Sequence, residues 1–588
     1  MDNPPVKRFT RKRKKSFITN AKKYGKKGCY GRGVQLEPDL YNYLIEIVTH
    51  FKQIENNEEK NLFVCNVFEQ MENQEENCCY NQVGCRVIET LLPFASDSII
   101  NKFIEIISKD LRRSCTDTFA SHVVETIFLQ CYKKTAKKNN SELYEEYTDF
   151  VLKVAKFLLN NLEDFVWDTY ANHIIRTVLQ TFAMITDNSE NKNMSIDKKI
   201  ETESNLVEIS DEYKAIIKDY AERIVTWPQF LDLAYNDLTS GLLQILIKSV
   251  AKLYPKLLKS YFKKLVDDCF VVEFEKTKEN SYENELYPKP VIALLETFLQ
   301  HSTSKIFTQI YAKLFYSKLA FLAKERNTNF AVQKLLDNCK EKTEFEPIFD
   351  ELIDHLEEIA SKQHTGVILS LGNACKRLST KQGSFIMAIF KLFNCVEPLE
   401  RQNSIVLCLS KWEKFEDITK NDKSEYSSLD KQKFNLHGTL LAQLLLNFNK
   451  PIKLVNSILS FDSNDLKGMF SNSMGCHIVD SYVKSPYVGE KSREKLIKKM
   501  QGTYPELVSS KYGSRSFDAL WEVATLKMKL MIMNELSQKD ASWSNSQFGR
   551  IIASRINLTL FKRNKEEWTS SLNKSKDKTK NCLIEIFK

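Results

Sequence analysis

Thr328-Asn329-Phe330-Ala331-Val332-Gln333 is a clear copy of a six-residue pattern that recurs along this chain. The pattern consists of a small or polar pair, one flat or long side chain, two apolar residues, and then Gln, Glu or Asp. Residues three and four apart share one face of a helix, so Asn329, Phe330 and Gln333 project together while the apolar pair turns to the core. Each hexad therefore predicts an amphipathic helix that presents three side chains.

The hexads are regularly spaced. Their second residues are Cys85, Ser121, Asn172, Ser240, Ile292, Asn329, Val367, Thr439, Cys476, Ser514 and Arg550. Six of the ten steps between them are 36 to 38 residues long, and the step from Val367 to Thr439 is twice 36. A period in this range is typical of stacked helical repeats. The doubled step fits either a degenerate repeat near Ser404-Ile405-Val406-Leu407 or a long insertion.

The composition favours an all-α fold. Together with the eleven hexads, it predicts an α-solenoid of about eleven repeats. Only 16 Gly and 13 Pro occur in 588 residues, the apolar spacing is mostly helical, and alternating stretches are scarce. We expect a disordered basic tail over residues 1–33, one helical repeat array over 34–568, and a basic C-terminal end over 569–588. Polar stretches predict insertions near residues 132–145, 186–212, 272–288 and 396–432.

The formal net charge of +9 is concentrated at the start of the chain. Residues 1–33 contain twelve Lys and Arg against a single acidic residue, Asp2, so the rest of the chain is close to neutral. Such a polycation suits nuclear import and nonspecific phosphate contact. The predicted nuclear-targeting cluster is Arg11, Lys12, Arg13, Lys14 and Lys15.

Several classes of protein are disfavoured. The 14 Cys are scattered, no C-x-x-C pair occurs and no secretory signal opens the chain, which indicates a reducing compartment. No apolar run approaches the roughly 18 residues of a membrane span. The glycine-rich stretch Gly28–Gly33 lacks the Lys-Ser or Lys-Thr of a phosphate-binding loop, and no H-E-x-x-H occurs. We expect a monomer that is not an enzyme and binds no metal or cofactor.

The hexad supplies the groups that reading of single-stranded RNA requires. One base can be read per helical repeat, by one side chain that stacks on the base and two that contact its Watson–Crick edge. Flat groups fill the third hexad position: His122, His173, Phe330, His477, Arg86 and Arg515. Three of the eight His in the chain lie there, an enrichment that core packing does not require. We name the second, third and sixth hexad residues the first edge, stacking and second edge positions.

The candidate RNA-binding residues follow from these positions. They are Cys85, Arg86, Glu89, Ser121, His122, Glu125, Asn172, His173, Arg176, Ser240, Gln244, Asn329, Phe330, Gln333, Thr439, Gln443, Cys476, His477, Asp480, Ser514, Arg515, Asp518 and Arg550. Gly241 removes the stacking group from one repeat. Ile292 with Ala293, and Val367 with Ile368 and Leu371, lack polar edges, so we expect these central repeats not to read bases in the usual way.

Tyr512–Trp521 and Ala120–Thr126 resemble the Pumilio (PUF) family most strongly, and the resemblance extends over about residues 60–560. The basic tail, the unequal loops and the closing Gln547-Phe548-Gly549-Arg550 are similar to its nucleolar branch. This resemblance implies a curved array of about eleven Pumilio-type three-helix repeats in the nucleus and nucleolus. It further implies that the concave face binds small-subunit precursor ribosomal RNA (pre-rRNA), alongside pre-ribosomal particle proteins, and restrains premature processing during 18S rRNA maturation.

The family's base preferences give specific expectations for some pairs. Asn with Gln favours uracil there, as at Asn329 and Gln333, and Ser with Glu favours guanine, as at Ser121 and Glu125. An alternative from another class is a protein-binding solenoid of the armadillo or HEAT type. That alternative explains the degenerate central repeats better, and it explains the aligned His, Phe and Arg side chains less well.

Overall fold

The computed structural model describes residues 17–135, 142–185, 209–276, 287–421, 429 and 432–572. Within those ranges every regular element is a helix, apart from one isolated bridge between Gly33 and Asn81. This confirms the predicted all-α class. The chain divides into two compact units, Met1–Ser302 and Thr303–Lys588, whereas the sequence predicted one continuous array.

The helices are short and follow one another closely. In the first unit they are α1 (Phe17–Gly25), α2 (Pro38–His50), α3 (Asn57–Gln70), α4 (Glu75–Cys79), α5 (Gln82–Leu91), α6 (Asp97–Lys109), α7 (Leu111–Thr116), α8 (Ala120–Thr135), α9 (Glu142–Asn160), α10 (Leu162–Phe165), α11 (Thr169–Phe182), α12 (Asp211–Thr226), α13 (Asp232–Tyr235), α14 (Asp237–Leu253), α15 (Pro255–Leu265), α16 (Val271–Lys276) and α17 (Lys289–His301). Short 3-10 segments lie at Phe51–Gln53 and Leu92–Phe94, and a π-helical turn lies at Val266–Phe270.

The second unit continues in the same style. Its helices are α18 (Ser304–Ile310), α19 (Leu319–Lys324), α20 (Asn329–Asn338), α21 (Lys342–Ile353), α22 (Leu356–Ser361), α23 (Thr365–Leu378), α24 (Gln382–Leu392), α25 (Leu399–Asn403), α26 (Ile405–Lys411), α27 (Phe415–Asn421), α28 (Leu436–Leu446), α29 (Ile452–Ser460), α30 (Ser463–Ser471), α31 (Cys476–Lys484), α32 (Glu490–Lys499), α33 (Tyr504–Ser509), α34 (Lys511–Val523), α35 (Leu526–Gln538), α36 (Asp540–Trp543), α37 (Gln547–Arg555) and α38 (Leu558–Arg563). A second π-helical turn lies at Tyr311–Phe315.

One helix of each repeat carries the hexad, and these hexad helices stack side by side within each unit. In the first unit the stack runs α5, α8, α11, α14 and α17. In the second unit it runs α20, α23, α28, α31, α34 and α37. The described part of the chain thus contains eleven hexad helices, the number of repeats that the spacing predicted.

The apolar pair of most hexads lies in the core, as the pattern predicted. Of the pairs that the sequence predicted, those at most 1% exposed are Val87–Ile88, Val123–Val124, Ile174–Ile175, Leu242–Leu243, Leu294–Leu295, Ala331–Val332, Leu441–Ala442 and Ile478–Val479. Fully burying one Val, Leu or Ile side chain contributes roughly 1.5–3 kcal/mol to stability. The pairs therefore fix which face of each hexad helix points away from the core.

A short polar residue caps the start of most hexad helices, four positions before the first edge residue. Its side-chain oxygen accepts hydrogen bonds from backbone N–H groups two or three residues further on, which is why Asn, Asp and Ser are favoured there. The eight caps are Asn81, Asp117, Asp168, Asn236, Asn435, Asn472, Ser510 and Ser546. They fix the point at which each hexad helix begins.

Glycine just before the first edge residue lets a hexad helix press against the short helix that precedes it. A Cβ atom at Gly84 would lie 2.5 Å from the carbonyl oxygen of Cys78, and one at Gly475 would collide with that of Met469. Glycine is the residue that permits so close an approach of two backbones. In both repeats the carbonyl oxygen belongs to the residue six positions before the glycine.

The doubled step between Val367 and Thr439 arises from an insertion. Helix α23 packs directly on α28, and Thr365 Oγ1 is hydrogen-bonded to His437 Nδ1 across this seam. At the start of α28, Gly438 abuts the carbonyl oxygen of Leu409 in α26, which is 29 positions earlier rather than six. Twenty-three of the additional residues therefore lie between α26 and α28, and α26 is not a hexad helix.

Residues 17–33 are folded against the first repeat, whereas the sequence placed them in a disordered tail. Helix α1 packs on α2. The amide of Asn81, which caps α5 with its oxygen, uses its nitrogen to donate to the carbonyl oxygens of Tyr30 at 3.0 Å and Val34 at 2.7 Å. The basic composition of the segment gives no sign of these contacts, so the sequence predicted disorder. Residues 1–16, with the predicted targeting cluster, lie outside the described residues.

Candidate nucleic-acid interface

Six planar side chains at the stacking position lie at the surface of the two units. Arg86, His122 and His173 belong to the first unit, and Phe330, His477 and Arg515 to the second. Phe330 is 55% exposed, although burial of a phenyl ring is favourable. The sequence predicted that these groups point away from the core, and in the structure all six lie at the surface.

The first edge residues differ from this expectation, because most are buried in the seam between neighbouring hexad helices. Buried ones are Cys85, Ser121, Asn172, Ser240, Ile292, Asn329, Thr439 and Cys476. Their polar atoms bond to backbone: Cys85 Sγ donates to the carbonyl oxygen of Phe119 at 3.1 Å, and Ser240 Oγ to that of Pro290 at 3.0 Å. In both cases the acceptor lies two positions before the first edge residue of the next repeat.

The two buried thiols at first edge positions are donors rather than ionised groups. Burial, the largest effect at each, raises the pKa of Cys85 and the pKa of Cys476 above the ordinary value. Cys476 Sγ donates to the carbonyl oxygen of Ser473 at 3.5 Å. A neutral thiol in these places adds no negative charge to the surface, and at Cys85 it also joins one repeat to the next.

The second edge residues are half-buried and reach towards the next repeat. They are Glu89, Glu125, Arg176, Gln244, Gln333, Gln443, Asp480 and Asp518. Glu89 Oε1 lies 3.7 Å from Nδ1 of His122, the stacking residue of the following repeat, while Glu89 Oε2 accepts from Arg86 Nη1 at 3.0 Å. Glu89 is therefore a neighbour of two stacking positions, its own and the next.

The repeat of α20 combines the predicted groups most completely. Asn329 donates through Nδ2 to the carbonyl oxygens of Glu325 and Arg326, at 3.0 and 2.7 Å. Gln333 Nε2 donates to Asn329 Oδ1 at 3.0 Å. The two amides are thus already held together beside the exposed ring of Phe330.

The register predicted for α23 was wrong by two residues. Val367, Ile368 and Leu371 are completely buried, so they form core and not a degenerate surface. The first edge, stacking and second edge positions on this helix are Thr365, Gly366 and Leu369, which restores a step of 36 residues from Asn329, and Thr365 is buried like most first edge residues. The error arose because three consecutive apolar residues, Val367–Leu369, leave the phase ambiguous, and the true apolar pair, Val367 and Ile368, was assigned to the first edge and stacking positions.

The surface face of the hexad helices, which we name the hexad row, also carries residues that the sequence did not predict. Glu296 occupies the second edge position of α17, where the sequence found no polar edge, and it is half-buried like its counterparts. Leu440, at the stacking position of α28, is 36% exposed. In the last repeats Arg555 Nη1 donates to Asp518 Oδ2 at 2.7 Å, while the predicted Arg550 is exposed and Ser514 is half-buried. The cap Asn435, five positions earlier, could have indicated Leu440, and Glu296 lies four positions after Ile292, as every second edge residue does after its first edge residue.

Two other features bear on the kind of site. No group of His, Cys, Asp and Glu suited to hold a metal ion occurs among the described residues. In the same part of the chain, no helix has the length and apolar character needed to cross a bilayer.

The family described as a NOP9-like PUF repeat domain matches residues 73–551. Nucleolar protein 9 of Mus musculus is 24% identical over 576 residues, which cover 91% of this chain and 88% of that protein. Nucleolar protein 9 of Homo sapiens is 23% identical over 579 residues, with the same two coverages. The similarity therefore extends along both units.

Among solved structures, that of APUM23-GGAUUUGACGG has a TM-score of 0.70 to this chain at 18% identity, covering 91% of this chain and 99% of that chain. The structure of APUM23-GGAAUUGACGG gives a TM-score of 0.68 with the same coverage. At this level of identity the likeness is one of fold, and it agrees with a helical-repeat solenoid.

Proposed function

The chain belongs to the NOP9-like PUF repeat family, and we propose that it binds single-stranded or partly structured small-subunit pre-rRNA along its hexad helices. It is an RNA-binding PUF-repeat protein of ribosome biogenesis, and its location is nucleolar, as the relatives are named. What we propose beyond this is the particular RNA that is bound and the way in which binding acts on it.

The observation that supports RNA as the ligand is the surface position of the six planar stacking groups. Imidazole, phenyl and guanidinium planes are the surfaces on which unpaired bases stack, at roughly 1–3 kcal/mol per base. A protein-binding solenoid has no need to expose these groups at one helix phase in successive repeats. The apolar hexad of α17 and the apolar helix α23 remain the points that such a scaffold would explain well.

The second edge residues supply the hydrogen-bonding groups. Gln244, Gln333 and Gln443 are amides that can both donate and accept, whereas Glu89 and Glu125 accept only. Because the first edge residues are buried, the base edge is met mainly by the second edge side chain of each repeat. We therefore propose looser base preferences than a full pair of edge residues would give.

Binding would act by occupancy and not by catalysis. An RNA segment whose bases are stacked and hydrogen-bonded along the row is unavailable to nucleases and to partner strands. Held in this way, small-subunit pre-rRNA would be protected from premature processing until the protein is released. Pre-ribosomal particle proteins are the partners that would accompany the RNA.

The proposal is tested by fluorescence anisotropy with short labelled fragments tiled along small-subunit pre-rRNA, repeated over a salt series. Binding to phosphates predicts that log affinity falls with log salt by roughly 0.7 for each phosphate contacted by a single strand. The key variant replaces His122, His173 and Phe330 by Ala. Its control replaces three exposed aromatic residues outside the hexad helices, Tyr235, Tyr316 and Phe321.

We expect the hexad variant to lose most of its RNA affinity and the control to keep it. Failure of the parent protein to bind any fragment above the affinity of unrelated RNA would overturn the proposal. Equal losses in the two variants would also overturn it, because the hexad row would then have no special role.

A further inference from the structure

Two hexad helices carry glycine where a stacking side chain is expected, and in both the gap is covered by the repeat before. At Gly241 in α14, a Cβ atom would lie 3.1 Å from Nη1, 3.2 Å from Cζ and 3.5 Å from Nη2 of Arg176 in α11. Arg176 is the second edge residue of its own repeat. Its guanidinium lies at the point from which a stacking side chain of α14 would grow.

The second unit repeats this arrangement independently. At Gly366 in α23, a Cβ atom would lie 2.7 Å from Oε1, 2.8 Å from Nε2 and 2.9 Å from Cδ of Gln333 in α20. Gln333 is again the second edge residue of the preceding repeat. The same relation between neighbours therefore occurs in both units, each time with a planar side chain over a glycine.

The distances from the added Cβ positions also show how the planar groups are oriented. Three atoms of the guanidinium, and likewise three atoms of the carboxamide, are almost equally far from the added Cβ position. If the guanidinium approached edge-on through its two terminal nitrogens, Cζ would be farther from the added Cβ than both of them, whereas Cζ is nearer than Nη2. The guanidinium plane of Arg176 consequently faces Gly241, and any larger residue at Gly366 would push the amide of Gln333 away.

Arg176 has no exposed first edge residue to act with in its own repeat, α11. Its first edge residue, Asn172, is completely buried and donates through Nδ2 to the carbonyl oxygen of Val166 at 2.7 Å. A base lying on His173 therefore has no exposed first edge partner in that repeat. The guanidinium of Arg176 is turned instead to the neighbouring α14.

We propose that Arg176 is the stacking residue for the base held at α14, where its guanidinium replaces the side chain that Gly241 lacks. A delocalised, weakly hydrated guanidinium plane stacks well on aromatic faces, and bases use it as they use aromatic rings. Gln333 takes the same place over Gly366 with a neutral plane. The inference rests on the proposed RNA binding and assigns a specific group to one base.

The test begins with a pool of short single-stranded RNAs of random sequence, from which the parent protein enriches its preferred RNA. Affinity for that RNA is then measured for Arg176→Ala and Arg176→Lys. Lys keeps the positive charge and loses the plane, so both variants should weaken binding by about ten-fold, the size of one lost base stack. Arg112→Ala, which removes an exposed positive charge from α7, is the control and should bind as the parent does.

A second readout separates stacking from structure. The fluorescent base 2-aminopurine is placed at each position of the enriched RNA in turn, and its quenching reports stacking. Arg176→Ala should relieve quenching at one position only. The double variant Arg176→Ala with Gly241→Arg, which returns a guanidinium to α14 itself, should restore both quenching and affinity, with melting temperature confirming that every variant is folded.

The outcomes are distinct. If the parent enriches no RNA, the proposed function fails, and this inference fails with it. If the parent enriches an RNA and Arg176→Lys binds it as tightly as the parent, the contribution is charge alone and only the stacking assignment is overturned. A double variant that binds no better than Arg176→Ala would likewise overturn the claim that Gly241 marks the vacant stacking place.

Discussion

Asp480 and Arg515 form an ion pair that joins two neighbouring repeats. Asp480 Oδ2 accepts hydrogen bonds from Nε and Nη2 of Arg515 at 3.2 and 2.8 Å. The same oxygen lies 3.8 Å from Nδ1 of His477 on its own helix. One carboxylate therefore contacts two predicted stacking groups, and a bound base or phosphate has to compete with it for Arg515.

Asp480→Asn should strengthen RNA binding, because the substitution removes a negative charge from the row and releases the guanidinium of Arg515. We expect a gain of several-fold that shrinks as salt rises, with little change in melting temperature, since Arg515 is exposed and water screens its pairing with the half-buried Asp480. Anisotropy titrations at low and high salt measure the effect. Asp350→Asn, which breaks the surface pair with Lys381 outside the hexad helices, is the control. Weaker binding by Asp480→Asn would instead show that the carboxylate reads a base.

A glycine substitution tests the backbone packing of the repeats. A Cβ at Gly438 would collide with the Leu409 carbonyl oxygen, whereas Gly383 in α24 has no atom within 4 Å of the added Cβ. Gly438→Ala should destabilise the second unit by roughly 1–3 kcal/mol, the usual cost of overpacking. Gly383→Ala should be neutral or slightly stabilising, because Ala favours helix by up to about 1 kcal/mol. Thermal melting compares them, and equal melting temperatures would contradict the close approach.

Much of this arrangement could be predicted from the sequence, because it follows from local periodicity. The phase of Phe330 and His122 relative to their apolar pairs is a property of one helix, so the hexad sufficed to place both rings at the surface. In α23 the same reasoning failed, since the apolar run Val367–Leu369 leaves open which two of its residues form the apolar pair. Counting 36 residues on from Asn329 would have indicated Thr365.

The burial of the first edge residues could not be predicted in the same way. Cys85 is buried because the backbone of Phe119 approaches it from the next repeat, and that distance depends on how two helices pack. The folding of Tyr30 against Asn81 is equally non-local, since 51 residues separate them. Sequence periodicity carries no information about either contact.

His173 predicts a pH dependence of stability. Burial, and next the positive charge of Arg176, lowers its pKa below the ordinary value of 6.5, while Glu125 opposes the shift. Unfolding removes these effects, so between the lowered pKa and 6.5 the unfolded chain binds more protons than the folded one. The stability due to neutral His173 is thus complete above pH 6.5 and declines as the pH falls towards the folded-state pKa.

His173→Gln should accordingly reduce the fall in melting temperature when the pH is lowered past 6.5. Differential scanning calorimetry of parent and variant at matched pH values measures this difference. The control is His50→Gln, at an exposed position in α2. The prediction fails if His173→Gln and the parent lose melting temperature in parallel.

The targeting prediction concerns Arg11, Lys12, Arg13, Lys14 and Lys15. Replacing all five by Ala should disperse a fluorescently tagged protein from the nucleolus, because a dense basic cluster suits nuclear import and phosphate contact. The melting temperature should not change, since the packed segment that starts at Phe17 is left intact. Replacing Lys574, Lys576, Lys578 and Lys580 provides a basic control at the other end of the chain. Unaltered nucleolar fluorescence in the first variant would remove the targeting role.

Phe330 gives the sharpest test of the hexad row, because an exposed ring contributes little to folding and much to a base that stacks on it. Phe330→Ala should weaken RNA binding by roughly 1–3 kcal/mol, while its melting temperature stays near that of the parent. Phe321, in α19 of the same repeat, is 45% exposed against 55% for Phe330 and lies off the row. Phe321→Ala should therefore bind RNA as the parent does. Since both substitutions remove the same ring from similar exposure, a difference in affinity arises from position on the hexad helix, and equal affinities would exclude α20 from the RNA interface.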